Sequence, residues 1–142
     1  MYIVNSFILF ILLFVGEIHA KNCISPEQAE IRLSRMEAQG NIGSYSPSRK
    51  HEQGGWGSKN PIENQNRGQE LLDSSYIGKN KKQRYNFEDD KVVVFQPDGQ
   101  GGWHSYVAVD VVKEKVPTSV LRQMLKEGII TKPQYNRIIK NK

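Results

Sequence analysis

The chain has 142 residues, a formal net charge of +5 and a single cysteine. This length suits one domain. One cysteine excludes a scaffold held by intrachain disulfides, so the fold must rest on an apolar core. The positive charge favours polyanionic partners, such as nucleic acid or an anionic surface, without choosing between them.

The first 20 residues differ from the rest of the chain. The apolar run Phe7–Val15 is too short to span a bilayer as a helix and is typical of the core of a secretory signal. We expect cleavage after Ala20. All 20 basic residues and every acidic residue except Glu17 follow that point, so the remainder carries a formal net charge of +6. The sequence therefore predicts a secreted, basic protein with no membrane span after cleavage, and we assign Cys23 no chemistry.

The next segment predicts a short helix and then a loose arm. Ser25 is a good N-cap, Gln28 completes a capping box, and Gly40 ends the helix, which we place over 24–39. Its apolar stripe is thin, so we expect weak packing. Residues 40–68 are rich in Gly, Ser, Asn and Pro and show no sustained period, which predicts a flexible arm. We assign 21–60 to the helix and arm.

Residues 61–142 carry the pattern of a compact domain. The stretch "NRGQELLDSSYIG" predicts a helix that ends at Gly78. Three strands of a meander follow, separated by the turn residues "EDD" and "PDGQGG", over 83–87, 91–96 and 103–112. Two short helices close the chain, the second with a capping box of Thr131 and Gln134. The predicted fold class is α+β: an N-terminal helix on a small antiparallel sheet, followed by two short C-terminal helices. We discount a helix-turn-helix, because paired amphipathic helices after a sheet usually cover it.

Period-two alternation along 103–112 gives two different faces. Trp103, Ser105 and Val107 belong to an apolar face that we assign to the core. His104 and Tyr106 project together from the other face, about 7 Å apart by strand rise. An antiparallel sheet often has one wet face, and periodicity alone favours a solvent-side histidine with no special role.

Three features favour a functional histidine. His104 follows the glycine-rich loop "PDGQGG", which lets a ligand approach closely. Histidine is also the side chain best suited to proton transfer near neutral pH. In addition, a cationic segment with interleaved aromatics precedes the strand, and this combination suits phosphate contact and base stacking. Its members are Lys79, Lys81, Lys82, Arg84, Tyr76 and Tyr85.

Known metal and nucleotide motifs do not occur. The chain after residue 20 has two histidines and one cysteine, without HExxH, CxxC, GxSxG or Walker spacing. We therefore expect no metal and no cofactor. Cleavage of RNA through its 2′-hydroxyl needs only a base, an acid and positive charge around the phosphate. His104 is the candidate base or acid, Arg84 with Lys82 or Lys91 supplies charge, and Tyr106 or Tyr85 orients the phosphate.

The segment "NRGQELLDSSYIGKNKKQRYNF…KVVVFQPDGQGGWHSYVAVD…VPTSVLRQMLKEGIITKPQYNRIIK" resembles the C-terminal toxin modules of bacterial polymorphic toxin systems, over about residues 61–142. The shared features are a "GQ-LL" helix, an "R-Y" strand, a "QPD…WH-Y" hairpin and a "VP…G-I…Y" tail. The resemblance implies a metal-independent ribonuclease of the barnase and colicin-nuclease type, with the motif histidine at His104 and the motif arginine at Arg84. The chain departs from that pattern in carrying its own predicted secretion signal.

The sequence thus predicts a monomeric, secreted ribonuclease with RNA as substrate, and a cognate inhibitor protein is a further candidate partner. The candidate catalytic residues are His104, Arg84 and Tyr106, and the candidate substrate-binding residues are Lys79, Lys82, Tyr85 and Lys91. The second catalytic group stays open among Glu70, Asp98, His51 and Tyr106.

Two alternatives stand beside this prediction. One is a non-catalytic basic module that binds nucleic acid or an anionic surface. The other is a metal-dependent deoxyribonuclease that uses Asp89, Asp90 and Asp98. Convergence of Arg84, Lys91 and Tyr106 on His104 would favour the enzyme, whereas burial of His104's face by the C-terminal helices would argue against it.

Overall fold

A computed structural model of the chain describes residues 25–48, 60–79, 81–109 and 116–140. The predicted signal segment, Cys23, His51, Trp56 and the end of the strand predicted over 103–112 lie outside these residues. The described elements, in chain order, are α1 (Pro26–Gln39), α2 (Gln65–Asp73), β1 (Tyr76–Ile77), β2 (Arg84–Glu88), β3 (Lys91–Pro97), β4 (Trp103–Val107), α3 (Thr118–Lys126) and α4 (Lys132–Lys140).

The four strands form one antiparallel meander in the order β1-β2-β3-β4. Together with the preceding helices and the two C-terminal ones, it gives the α+β arrangement that the sequence predicted. Strands β2, β3 and β4 fall close to their predicted positions. The helix predicted to end at Gly78 ends earlier, at Asp73, and the two-residue strand β1 follows it. This strand was not predicted, because it is defined only by the pairing of Tyr76 with Tyr85 and of Ile77 with Arg84.

Both faces of the sheet are covered. One face packs against α3 and α4 in what we call the C-terminal cluster, which includes Tyr85, Val94 and Met124. The opposite face packs against α2 in what we call the Tyr45 cluster, which includes Val93 and Phe95. This corrects the prediction of a wet face. The apolar run in β3 is buried throughout, since alternate residues enter different cores.

The segment before α2 is also corrected by the structure. Tyr45 was assigned to a flexible arm, yet it is fully buried and forms a parallel bridge with Trp103 on β4. The amide of Trp103 donates to Ser44 O at 2.9 Å, and the amide of Ser46 donates to Trp103 O at 2.8 Å. Composition alone did not show this because the contacts that order the segment are distant in sequence.

Helix α1 begins and ends where its capping residues predict. The Ser25 hydroxyl accepts from the Gln28 amide, the Gln28 side chain accepts from the Ser25 amide, and Gly40 caps the C-terminus. No residue of α1 is buried. Ile31 packs partly against the C-terminal cluster, and polar contacts add to this: the Arg35 guanidinium lies 3.8 Å from the centre of the Tyr76 ring and pairs with Glu127.

The C-terminal helices cover one face of the sheet, as the sequence predicted. Leu121 and Met124 of α3 and Ile138 of α4 are buried in the C-terminal cluster. Gly128, in the left-handed region at φ 73°, ends α3, and the Thr131 amide donates to Gln134 Oε1 at the start of α4. Within the described ranges, no helix has the length and apolar character needed to cross a membrane.

Candidate functional site

His104 lies at the end of the sheet where two turns meet. His104 on β4 pairs with Gln96 on β3, and the β3–β4 turn lies next to this pair. The β1–β2 turn lies at the same end, since Arg84 at the start of β2 pairs with Phe95 near the end of β3. The antiparallel register therefore places both turns at the His104 end of the sheet, the β3–β4 turn next to the histidine and the β1–β2 turn two strands away, about 10 Å by strand spacing.

Tyr106 shares the face of His104, as alternation predicts. Tyr106 pairs with Val94 and packs partly against the C-terminal cluster. The helices thus cover part of this face, while His104 stays half-exposed at its edge. The arrangement leaves one end of the face, rather than the whole of it, open to a ligand.

A short polar chain links Tyr106 to its neighbours. The Tyr85 hydroxyl donates to Gln83 Oε1 at 3.0 Å, and Gln83 Nε2 lies 3.5 Å from the Tyr106 hydroxyl. Burial raises the pKa of Tyr85, and the nearby Tyr106 raises it further. Tyr85 was predicted to bind the substrate, but its ring is buried and cannot stack on a base. It holds Gln83 in position through its hydroxyl instead. Gln83 was not predicted, although alternation from Tyr85 would have placed it on this face.

Asp98 presents a fixed carboxylate at the same end of the sheet. Its Oδ1 accepts from the amides of Gln100 at 2.7 Å and Gly102 at 2.9 Å. These two backbone donors lower the pKa of Asp98, and the charge of His104 acts in the same direction. A Cβ on Gly102 would lie 2.5 Å from Asp98 Oδ2, so glycine at 102 leaves room for the carboxylate.

The lysines of the β1–β2 turn border this end of the sheet. Lys79, Lys81 and Lys82 are all exposed. The turn is closed by the Gly78 amide, which donates to Gln83 O at 3.2 Å, and by the Lys81 amide, which donates to Gly78 O at 2.9 Å. Positive charge therefore lies at the same end of the sheet as His104.

Arg84 does not join this site. It shares the row of Phe95 and Ser105, on the face opposite His104, where its side chain is buried and its Nε donates to Ser75 Oγ at 2.8 Å. Burial lowers its pKa, as does the charge of Arg35, against an opposing effect of Asp73. The predicted convergence of Arg84 with His104 is therefore wrong.

Lys91 lies at the other end of the sheet. It pairs with Glu88 at the start of β3, five residues from Gln96, which is about 17 Å by strand rise. Lys91, predicted to bind the substrate beside His104, is therefore far from it along the sheet, and that prediction is corrected. Asp89 and Asp90 form the turn at that far end and do not meet Asp98, while Glu70 pairs with Arg67 on α2.

Of the open second groups, Asp98 and Tyr106 are therefore at the His104 end, and His51 lies outside the described residues. Across the described parts of the chain, no three His, Cys, Asp or Glu side chains are grouped as metal ligands. No protein-family model, curated protein or solved structure shows significant similarity to the chain. The resemblance to toxin modules thus stays a prediction.

Proposed function

We propose that the chain is a metal-independent ribonuclease whose reaction centre is His104. The observation that carries the proposal is that His104 and Tyr106 share one sheet face, and that the Asp98 carboxylate and the lysine-rich β1–β2 turn lie at the His104 end of the same sheet. The predicted secretion and toxin-like character belong to the same proposal, supported by the signal-like first 20 residues and the resemblance described above.

The reaction needs no group beyond these side chains and the RNA. His104 as base removes the 2′-hydroxyl proton, and the 2′-oxygen attacks the adjacent phosphorus. The 5′-oxygen leaves and takes a proton from water, His104 returns its own proton to the solvent, and the products are a 2′,3′-cyclic phosphate and a 5′-hydroxyl end. Because DNA has no 2′-hydroxyl, this route selects RNA.

The supporting roles follow from position. Lys82 and its neighbours Lys79 and Lys81 supply positive charge to the phosphate as negative charge develops on it. We assign the Tyr106 hydroxyl the role of donating to a phosphate oxygen. After His104 has taken up the proton, the Asp98 carboxylate would stabilise its positive charge. Arg84, buried on the other face, supports the sheet instead of the substrate.

The direct test is cleavage of RNA by the purified full chain in EDTA. We expect turnover, and we expect His104→Ala to lower kcat/KM at least about 100-fold, the usual contribution of a general acid or base. Lys140→Gln, an exposed change on α4, is the control and should cut as the unaltered chain does. Intact RNA after incubation with folded protein, or full activity in His104→Ala, would contradict the proposal.

Because Arg84 does not lie at the site, the positive charge there comes, among the described residues, only from the exposed lysines, and this favours a second candidate function, binding without cleavage. A module that only binds nucleic acid needs the exposed lysines of the β1–β2 turn but no proton-transfer group. It would show salt-sensitive binding with no turnover, and His104→Ala would bind as tightly as the original chain. The same preparations therefore separate the two functions.

A further inference from the structure

Helix α1 presents a largely polar side to the rest of the fold. None of its residues is buried, and those that are partly covered recur every three or four positions. They are Gln28, Ile31, Arg32, Arg35, Met36 and Gln39. A helix held mainly by burial places apolar residues at such positions, whereas here most of the side chains are polar or charged. The attachment of α1 to the fold is therefore mainly polar.

Two glutamines attach the ends of this helix. Gln28 Nε2 donates to Gly128 O, just after α3. Gln39 Nε2 donates to Ser75 O at 3.0 Å, just after α2. Water can replace either donor when the helix moves away, so each hydrogen bond contributes only a small net stabilisation. Contacts of this kind can break and form again without disturbing the elements that accept them.

Arg32 is less well satisfied than the other polar side chains on this side of α1. Its Nη2 donates to Phe87 O at 3.3 Å, but its Nε and Nη1 are enclosed and meet no acceptor among the described residues. Burial lowers the pKa of Arg32, and the nearby charge of Arg67 lowers it further. Glu88 opposes this effect, yet it lies 3.9 Å from Arg32 and forms two 2.8 Å hydrogen bonds with Arg67. Docking of α1 therefore encloses a charge that is only partly compensated, and release of the helix returns that charge to water.

The connection after α1 has a pivot followed by an anchor. Gly40 ends the helix at φ 63°, and no atom lies within 4 Å of the place where its β-carbon would be. Glycine rotates through this region of φ without steric cost. Two residues later the chain is fixed, because Ile42 O accepts from Trp103 Nε1 at 3.1 Å. Tyr45 then enters its buried cluster, so a rotation at Gly40 can move α1 and leave that cluster in place.

Helix α1 covers an edge of the sheet at the point where β1 ends. Tyr85 pairs with Tyr76 on β1, and Phe87 lies two residues further along β2. The Phe87 carbonyl group accepts from Arg32 instead of from a neighbouring strand. The Tyr76 ring is covered by the guanidinium of Arg35, 3.8 Å from the ring centre. Departure of α1 would therefore expose an unpaired strand edge, which a helix otherwise protects.

From these observations we propose that α1 is a strap that opens and closes as one unit about Gly40, while the sheet and both hydrophobic clusters stay folded. Polar contacts along the helix keep the strap closed, and the enclosed charge of Arg32 opposes closure. The edge of β2 beyond β1 is accessible in the open form. This inference is independent of the proposed ribonuclease function, since opening can be measured without RNA.

Hydrogen exchange of the backbone amides in the full chain tests the strap. We expect the amides from Ile31 to Ala38 to share one protection factor, at least about 100-fold below those of Val93 and Val94, as for a local opening unit. Protection that rises gradually along α1 would mean that the helix frays from one end. Equal protection in α1 and β3 would mean that the helix opens only when the whole fold opens. Either result overturns the proposal.

Two substitutions one turn apart test what holds the strap and what opposes it. Arg32→Met removes the enclosed charge but keeps the side-chain length, and it should raise the protection of α1 about fivefold. Arg35→Met removes the pair with Glu127 and should lower that protection about fivefold. The protection of β3, unchanged in both variants, shows that each variant folds.

A fall in α1 protection in both variants would show that Arg32 holds the helix closed, which contradicts the proposal. The exchange pattern of the unaltered chain decides between a strap, a fraying helix and a fixed helix even if a variant fails to fold.

Discussion

The ring of Tyr45 occupies the space where a β-carbon on Gly68 would lie. A Cβ built on Gly68 would be 2.0 Å from Tyr45 Cε1. The ring also packs edge to face on Phe95, at a centroid distance of 5.9 Å, and its hydroxyl bonds Ser105 Oγ and Ile62 O at 3.0 Å each. A glycine inside helix α2 thus fixes how the preceding segment joins the sheet.

We expect Gly68→Ala to destabilise the fold by about 3 kcal/mol, because the added methyl group overpacks a rigid, buried ring. Urea unfolding followed by tryptophan fluorescence measures this change. Asn66→Ala, an exposed change on the same helix, should alter the free energy of unfolding by less than about 0.5 kcal/mol. Equal stability of the two variants would show that Tyr45 does not pack as described.

Arg84 should be a stabilising residue. Arg84→Ala removes a buried hydrogen bond from a charged donor to Ser75, and we expect a loss of about 2 kcal/mol in the free energy of unfolding without RNA present. Ser75→Ala should lose a similar amount, and the double variant should show a coupling of at least about 0.5 kcal/mol. Additive losses would mean that the two side chains do not interact.

The contact between α1 and the end of α3 should be acid-sensitive. Partial burial raises the pKa of Glu127, but hydrogen bonds from Tyr76, Arg35 and Gln123 outweigh it, so the net pKa lies below the ordinary 4.5. A lowered folded-state pKa means that this stabilisation is present above pH 4.5 and is lost as the pH falls through the folded-state value.

Unfolding free energies measured between pH 7 and pH 3 test this. Glu127→Gln should be less stable at neutral pH, and the gap between the two proteins should narrow as the pH falls. A gap that stays constant over the whole range would rule out the proposed titration.

The lysine turn should contribute to RNA cleavage through charge alone. Replacing both Lys81 and Lys82 by glutamine should raise KM for RNA and reduce the dependence of binding on salt, because fewer counterions are released. Replacement of Lys126 and Lys140 by glutamine is the matched control, since it also removes two exposed positive charges, one from α3 and one from α4. The assay is kcat/KM at several salt concentrations, and parallel salt curves for the three proteins would exclude a role for the turn.

Tyr106→Phe separates catalysis from packing. The ring keeps its contact with the C-terminal cluster, while the hydroxyl that would reach the phosphate is lost. We expect kcat to fall about tenfold with little change in the unfolding midpoint. An unaltered kcat would leave Tyr106 as a packing residue.

Local signals predicted much of the fold. The capping residues Ser25 and Gln28 define the start of α1 because capping acts within one helical turn. The β-branched and aromatic residues and the turn residues placed β2, β3 and β4. The bridge between Tyr45 and Trp103 escaped prediction because it joins positions far apart in the chain.

The candidate site was predicted in part, and one error was avoidable. The two-residue turn at Asp89 and Asp90 fixes the β2–β3 register, which places Arg84 opposite Phe95. The next turn places His104 opposite Gln96, one residue further along β3. Neighbouring rows project to opposite faces, so Arg84 and His104 had to diverge. The fixed position of Asp98, in contrast, depends on backbone amides that no sequence pattern reveals.

The two turns that flank His104 lie outside both hydrophobic clusters. Exposed positions in them can therefore change at little cost to folding, whereas Gly102 cannot, because a side chain there would displace the Asp98 carboxylate. If Asp98 and the turn lysines serve RNA cleavage, related proteins with the same activity would keep these residues and would vary at the exposed positions around them.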